Sequence, residues 1–209
     1  QPEYNELVEK AYFDENLVLN VERFRSSEEY AETKKLIAEY YIPLSNRAGL
    51  GVRRKILDIG SGNGISAVSF ALDGNEVSSV EPDKSETVGS GAIRWLKNHF
   101  QLSDLSIADT FGENLPFEDE TFDMVYIRQA MHHANDLKKF IREAARVLKR
   151  GGLFLTIRDH VIYNVEDKQL FLKNHPLQQY YGGENAFTFK EYKNAMKTAG
   201  LQIRKVLKH

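Results

Sequence analysis

Short apolar runs alternate along this chain with longer stretches in which apolar residues recur every three or four positions. Ile56 to Ile59 is the first short run, apolar apart from Asp58, and it predicts a buried strand. Ile65, Val68 and Leu72 then fall at helical spacing. Val77 to Val80 predicts a second strand, and Ala92, Ile93, Leu96 and Phe100 the apolar face of the next helix. Leu105 to Ala108 and Phe122 to Ile127 predict the third and fourth strands. Leu137, Phe140, Ile141, Ala144 and Leu148 form an amphipathic helix with Lys138, Lys139, Arg142, Arg146 and Lys149 mostly on its other face. Lys149 and Arg150 suit a helix C-terminus, and Gly151-Gly152 is expected to stop the helix. Leu153 to Ile157 predicts a fifth strand. Thr188-x-x-Glu191 caps a helix closed by Gly200, and Leu201 to Leu207 reads as a sixth strand. Strands alternating with helices imply an α/β fold: a doubly wound, mostly parallel sheet with helices on both faces.

Ahead of the first strand, apolar residues from Tyr4 to Phe24 suggest one or two packed helices. Ser26-x-x-Glu29 reads as a capping box for a further helix bearing Tyr30, Leu36, Ile37, Tyr40 and Tyr41, which Pro43 ends. Asn46 to Arg54 connects it to the first strand. Between the fifth strand and the last helix, Asp159 to Phe187 is long for a plain connection. Loops of that length inside a domain are usually functional or disordered.

Composition narrows the classes. The chain has 209 residues, enough for one large domain or a domain with an appendage. Its net charge of −2 offers no general attraction for a phosphate backbone, so nucleic acid is not an expected partner. Cysteine is absent, which rules out disulfides and thiolate metal sites and suits a reducing, cytoplasmic setting. No apolar run reaches the roughly 18 residues of a membrane span, and no signal-peptide pattern opens the chain, so no membrane is expected. Asp159, His160 and His175 match no standard metal spacing, and no metal is expected.

The chemistry concentrates in Lys55-Ile-Leu-Asp-Ile-Gly-Ser-Gly-Asn-Gly-Ile65, where a strand feeds a glycine turn and the turn feeds a helix. Glycine lets the backbone reverse and lets a ligand approach main-chain N–H groups with no Cβ in the way. Asp58 stands at the strand end. Val80-Glu81-Pro82-Asp83 follows about twenty residues on, where an acidic side chain can take two ribose hydroxyls.

These stretches resemble the class I S-adenosylmethionine-dependent methyltransferases. The match runs through D-I-G-S-G-N-G, V-E-P-D, E-N-L-P-F-E-D-E-T-F-D-M-V, H-H-A and R-V-L-K-R-G-G, in the family's order over residues 55–160. The resemblance implies S-adenosyl-L-methionine as cofactor. It divides the chain into a helical lid or cap over residues 1–50 and the methyltransferase domain over 51–209. The family's sheet has a seventh strand, and no seventh candidate remains here.

The resemblance also assigns residues. Gly60, Ser61, Gly62 and Gly64 would lie against the methionine end of the cofactor, and Asp58 would bind its ammonium directly or through water. Without that ligand, Asp58 is a charge near the next helix's N-terminus. Glu81 would accept from both ribose hydroxyls, with Pro82 and Asp83 bordering the adenine. Asp109 stands two residues upstream of the family's usual position, so either the turn bulges or Phe111 and Gly112 border the adenine, with Glu113 nearby. Arg128 would pair with the methionine carboxylate, since a guanidinium close to a sulfonium is repelled. His132 or His133 is a candidate general base, and Arg158-Asp159-His160, after the fifth strand, is a second candidate for the same cleft. Tyr180 to Asn185 reads either as a packed turn or as aromatic walls and polar groups that suit a polar acceptor such as a sugar.

Three functions follow. The first is methyl transfer to a small polar, hydroxylated metabolite. The second is a nicotinamide-dependent oxidoreductase, but the third glycine comes one residue early for Gly-x-Gly-x-x-Gly. The third is a non-catalytic partner module on the same fold. Neither the acceptor nor the oligomeric state is written in the sequence.

Overall fold

The computed structural model of the chain describes residues 2–41, 53–174 and 185–207. Five parallel strands form its sheet: β1 (Lys55–Ile59), β2 (Glu76–Val80), β3 (Leu105–Ala108), β4 (Phe122–Arg128) and β5 (Leu148–Ile157). Their spatial order is β3-β2-β1-β4-β5. The doubly wound parallel sheet expected from the alternating pattern is present. Among the described residues no helix is long and apolar enough to cross a membrane.

Strand side chains alternate between two covered faces, as the period of two requires. Ile56, Met124 and Tyr126 join Val68, Phe70, Ile93 and Leu96 on one face. There lie α1 (Pro2–Arg25), α2 (Glu28–Tyr40), α3 (Ile65–Leu72) and α4 (Ser90–His99). Leu57, Ile59, Val125 and Ile127 meet Phe140, Ile141, Tyr192 and Ala195 on the other. These come from α5 (Leu137–Val147) and α7 (Phe189–Thr198). An aromatic series stitches the first face together: Phe24–Tyr30 at 5.0 Å, Tyr30–Phe70 at 5.7 Å and Phe70–Tyr126 at 5.0 Å between ring centroids. Each such pair adds about 0.5–1.5 kcal/mol beyond its buried area. Arg25 and Tyr30 both reach Asp73 after α3, at 2.8 and 2.9 Å.

Several boundaries differ from the sequence expectation. The cap of α2 is Ser27, whose Oγ accepts from the Tyr30 N–H. Ser26 is still bonded to α1 through its N–H to the Glu22 carbonyl, so the turn closes one residue later and Glu29 is released from capping. Gly151-Gly152 does not stop α5. That helix ends at Val147 and β5 begins at once; Lys149 and Arg150 pair with Asp123 and Glu120. The glycines fall in a bulge where the register jumps from Phe122↔Leu148 to Met124↔Leu153. The capping box of α7 is as expected, with Thr188 and Glu191 bonded reciprocally.

The stretch after β5 is not plain loop. It holds β6 (Val161–Ile162), paired in parallel with β7 (Phe187–Thr188), and α6 (Val165–Asn174). Pro43, His175 and Tyr180 to Glu184 lie outside the described residues. Leu201 to Leu207, expected as a sixth strand, makes no ladder bonds. A groove of about 1950 Å³ is bounded by both this segment and β5.

Candidate active site

In a doubly wound sheet the ligand crevice opens where the strand order reverses, beyond the carboxyl ends of the strands. Here that point lies between β1 and β4. The turn leaving β1 and the turn leaving β4 meet there so tightly that a Cβ on Gly60 would stand 2.3 Å from the Ala130 Cβ. Gly60 also holds a φ of +71°, open only to glycine at low energy. Main-chain bonds from Gly60 and Ser61 to the Val80 carbonyl tie the turn to β2. Ser61 braces it further, donating to the Asp58 carbonyl at 2.9 Å and accepting from Ser79 at 2.8 Å. Gly64, at the start of α3, packs where any Cβ would meet the Ile93 side chain at 2.8 Å.

Two carboxylates stand at the ends of neighbouring strands. Asp58 is buried to 1% exposure. Its Oδ2 accepts from Ser66 Oγ at 2.6 Å, whereas Oδ1 is buried and has no partner among the described residues. Burial pushes its carboxyl up to about 6, against the opposing pull of the Ser66 and Ser61 hydroxyls. Glu81 follows β2. Its Oε2 accepts from the Gly62 N–H at 2.7 Å and its Oε1 from the Asp83 N–H at 3.0 Å. The glycine turn therefore fixes the orientation of Glu81 directly. Pro82 beside it is exposed.

After β3, Asp109 is held by Arg94 through both carboxylate oxygens at 2.7 and 2.8 Å. Phe111 is 56% exposed. Gly112 is buried where a Cβ would meet the Phe140 ring at 2.2 Å. Glu113 is buried and accepts from the N–H groups of Asn135 and Asp136, which fixes the entry to α5.

The ends of β4 and β5 carry the remaining groups. Arg128 donates to Glu29 of α2 through Nε at 2.5 Å and Nη2 at 3.3 Å. Arg158 donates to the same carboxylate at 2.8 Å. Burial alone would push Glu29 up; the two guanidiniums outweigh it and hold the carboxyl below its ordinary range. His132 is buried on the 3-10 turn Met131–His133, with Nδ1 3.2 Å from Asp159 Oδ1. Asp159 also accepts from the His132 N–H and, through Oδ2, from Thr156 Oγ1 at 2.8 Å. His133 and His160 are exposed, and the His160 ring stacks on Phe171 of α6 at 3.9 Å. Asn185 donates to the Ala134 carbonyl and accepts from Lys168.

Three pairings among these groups are not legible in the sequence. Ser66 looks like any helical serine. Asp159 belongs to the Arg158-Asp159-His160 candidate but carries no sign of its bond to His132, and Glu29 reads only as a capping residue. Their partners lie 8, 27 and 99 residues away, beyond the reach of local pattern.

Comparison with known proteins identifies the family. A family model described as a methyltransferase domain matches residues 57–156. The uncharacterized methyltransferase YcgJ of Bacillus subtilis is 32% identical over 151 residues, 72% of this chain and 55% of that protein. An O-methyltransferase of Aspergillus sclerotiorum, resE, is 32% identical over 61% of this chain and 47% of its own length. Among solved structures, YcgJ superposes with a TM-score of 0.61 at 25% identity, covering 77% of this chain and 67% of that one. The geranyl diphosphate C-methyltransferase of Streptomyces coelicolor, solved with S-adenosyl-L-homocysteine, shares the fold at 19% identity with a TM-score of 0.60, covering 83% and 66%. This chain belongs to the class I S-adenosylmethionine-dependent methyltransferases. It spans about half the length of the sequence relatives named here.

Proposed function

We propose that this chain binds S-adenosyl-L-methionine and carries out methyl transfer to an O–H or N–H group of a small polar molecule. The observation that carries the first half is Asp58 Oδ1, a buried carboxylate oxygen with no partner among the described residues, at the end of the strand that feeds the glycine turn. A buried, unpaired acceptor is costly unless a ligand donor meets it. The cofactor's ammonium is such a donor. Glu81, held from behind by two main-chain N–H groups, keeps acceptor capacity for a vicinal diol. The residues present fit the cofactor.

When bound, S-adenosylmethionine supplies the methyl group from its sulfonium. The chain's part is to orient the reactants and to receive a proton. Orientation alone can recover roughly 7–11 kcal/mol of a barrier. With its proton on Nδ1, His132 donates to Asp159, which leaves Nε2 as the acceptor atom; Nε2 has no hydrogen bond among the described residues. A base in that state serves a nucleophile that must shed a proton, which favours a hydroxyl or an amine over a carbon acceptor. The near-neutral net charge disfavours nucleic acid, and the aromatic and polar residues of Tyr180 to Asn185 favour a hydroxylated metabolite such as a sugar.

Isothermal titration of S-adenosylmethionine and S-adenosylhomocysteine into wild type and Glu81→Ala tests the cofactor half. The expected loss on mutation is about tenfold or more in Kd. Wild type that binds neither at millimolar concentration overturns the reading. Screening hydroxylated and amine acceptors for S-adenosylhomocysteine release then tests the acceptor half.

A further inference from the structure

Arg128 follows Ile127, which pairs with Ile59 of β1, so it stands just beyond the end of β1 beside the Gly60 turn. By strand alternation it shares a face with Tyr126, the register partner of Asp58. A guanidinium has two separate edges that can each grip a carboxylate. Glu29 takes one of them, Oε1 on Nε and Oε2 on Nη2, and the same Oε2 takes Arg158. The Phe24 ring lies 5.4 Å from the guanidinium carbon and limits its movement on another side. Nη1 of Arg128 has no hydrogen bond among the described residues.

The backbone is bent to build this arrangement. Gln129 and Arg158, the residues that follow the two strands here, hold φ of +53° and +58°, a region disfavoured for side chains of their size. Such strain persists where surrounding contacts hold it, and often where a site needs it. The charges also suit an amino-acid ligand. Two guanidiniums share the one carboxylate of Glu29, which leaves the rest of the Arg128 guanidinium to meet a further carboxylate. Asp58, on the neighbouring strand, supplies the opposite sign.

We propose that Glu29 is a positioning residue for the amino-acid end of the cofactor: by gripping the Nε edge of Arg128 it presents the Nη1 end to the cofactor's carboxylate. This rests on the cofactor reading above. It assigns α2 a part in ligand binding through a residue that never touches the ligand.

The test compares two probes, S-adenosylhomocysteine and 5′-methylthioadenosine, which keeps the nucleoside and thioether but lacks the amino-acid end. Both are titrated calorimetrically into the full chain as wild type, Glu29→Gln, Arg128→Met and the double variant, each checked for folding by its melting transition. Glu29→Gln is expected to weaken S-adenosylhomocysteine about tenfold and leave methylthioadenosine within about twofold. Added to Arg128→Met, it should cause no further loss. Equal loss of both probes would mean that Glu29 only holds α2 in place, and tighter S-adenosylhomocysteine would mean that it competes with the ligand; either overturns the proposal. A wild type that binds neither probe removes the cofactor reading itself, a result distinct from both.

Discussion

Ser66 Oγ donates to Asp58 Oδ2 at 2.6 Å while Asp58 Oδ1, in the same buried site, meets no donor. One hydroxyl does not replace the water that an ionised carboxylate loses, so the folded chain keeps Asp58 protonated to about pH 6. The unfolded chain releases that proton near 3.8. Between those values the native state binds the extra proton, so this group's contribution to stability falls as pH rises from about 4 to about 6. Above that window the ionised form costs on the order of 3 kcal/mol. The stability of Asp58→Asn relative to wild type should therefore climb by that order between pH 4 and 7 in urea titrations. A flat difference would show that Asp58 ionises normally.

Gly60 and Ala130 limit each other. Gly60→Ala places a methyl 2.3 Å from the Ala130 Cβ and strains a backbone at φ +71°. A destabilisation of about 2–4 kcal/mol is expected, from overpacking and the left-handed backbone together. Adding Ala130→Gly relieves the collision but not the strain. The double variant should recover part of the loss in thermal denaturation, and full additivity would argue against the contact.

His132 and Asp159 are expected to act as a pair. Long-range 15N–1H spectra of wild type should show the neutral His132 ring protonated at Nδ1, and Asp159→Ala should release that preference. Once an acceptor is in hand, His132→Ala should lower kcat by about 100- to 10,000-fold. His133→Ala and His160→Ala should remain within about tenfold of wild type, since both rings are exposed and neither is paired with Asp159. Comparable losses in all three would remove the special role of the pair.

Asp73 anchors the N-terminal helices. It accepts from the Tyr30 hydroxyl at 2.9 Å and pairs with Arg25 at 2.8 Å, with the ion pair partly open to solvent. Asp73→Ala should cost about 1–3 kcal/mol, and Tyr30→Phe about 1 kcal/mol. Chemical denaturation monitored by helical circular dichroism reads both. Little change in Asp73→Ala would mean that aromatic packing alone holds the helices.

The strand, glycine turn and helix around Asp58 to Gly64 were legible because their signals are local: an apolar run, glycines, then helical spacing. The same holds for Glu81 at the end of β2 and for the capping box of Thr188 and Glu191. Where two local signals competed, the sequence misled. Ser26 and Ser27 both suit a cap, and only the α1 bond from Ser26 to Glu22 decides between them. Gly151-Gly152 suits a helix stop or a bulge, and the register between β4 and β5 selects the bulge. Leu201 to Leu207 has strand composition, but a strand also needs a partner. Glu29 with Arg128 and His132 with Asp159 are joined only by the crossing of distant segments, which no periodicity records.

The reversal of strand order between β1 and β4 also bears on how such a chain could diversify. Asp58 and Glu81 hang from β1 and β2, Asp58 braced by Ser66 of α3 and Glu81 by the Gly62 and Asp83 N–H groups. Arg128, His132 and Asp159 hang from β4 and β5, with supports of their own. The loops of one half can drift, lengthen or be exchanged while the other half is inherited unchanged, provided the residue facing Gly60 stays as small as alanine. That single methyl-sized gap is where two otherwise separate lineages of change would have to agree.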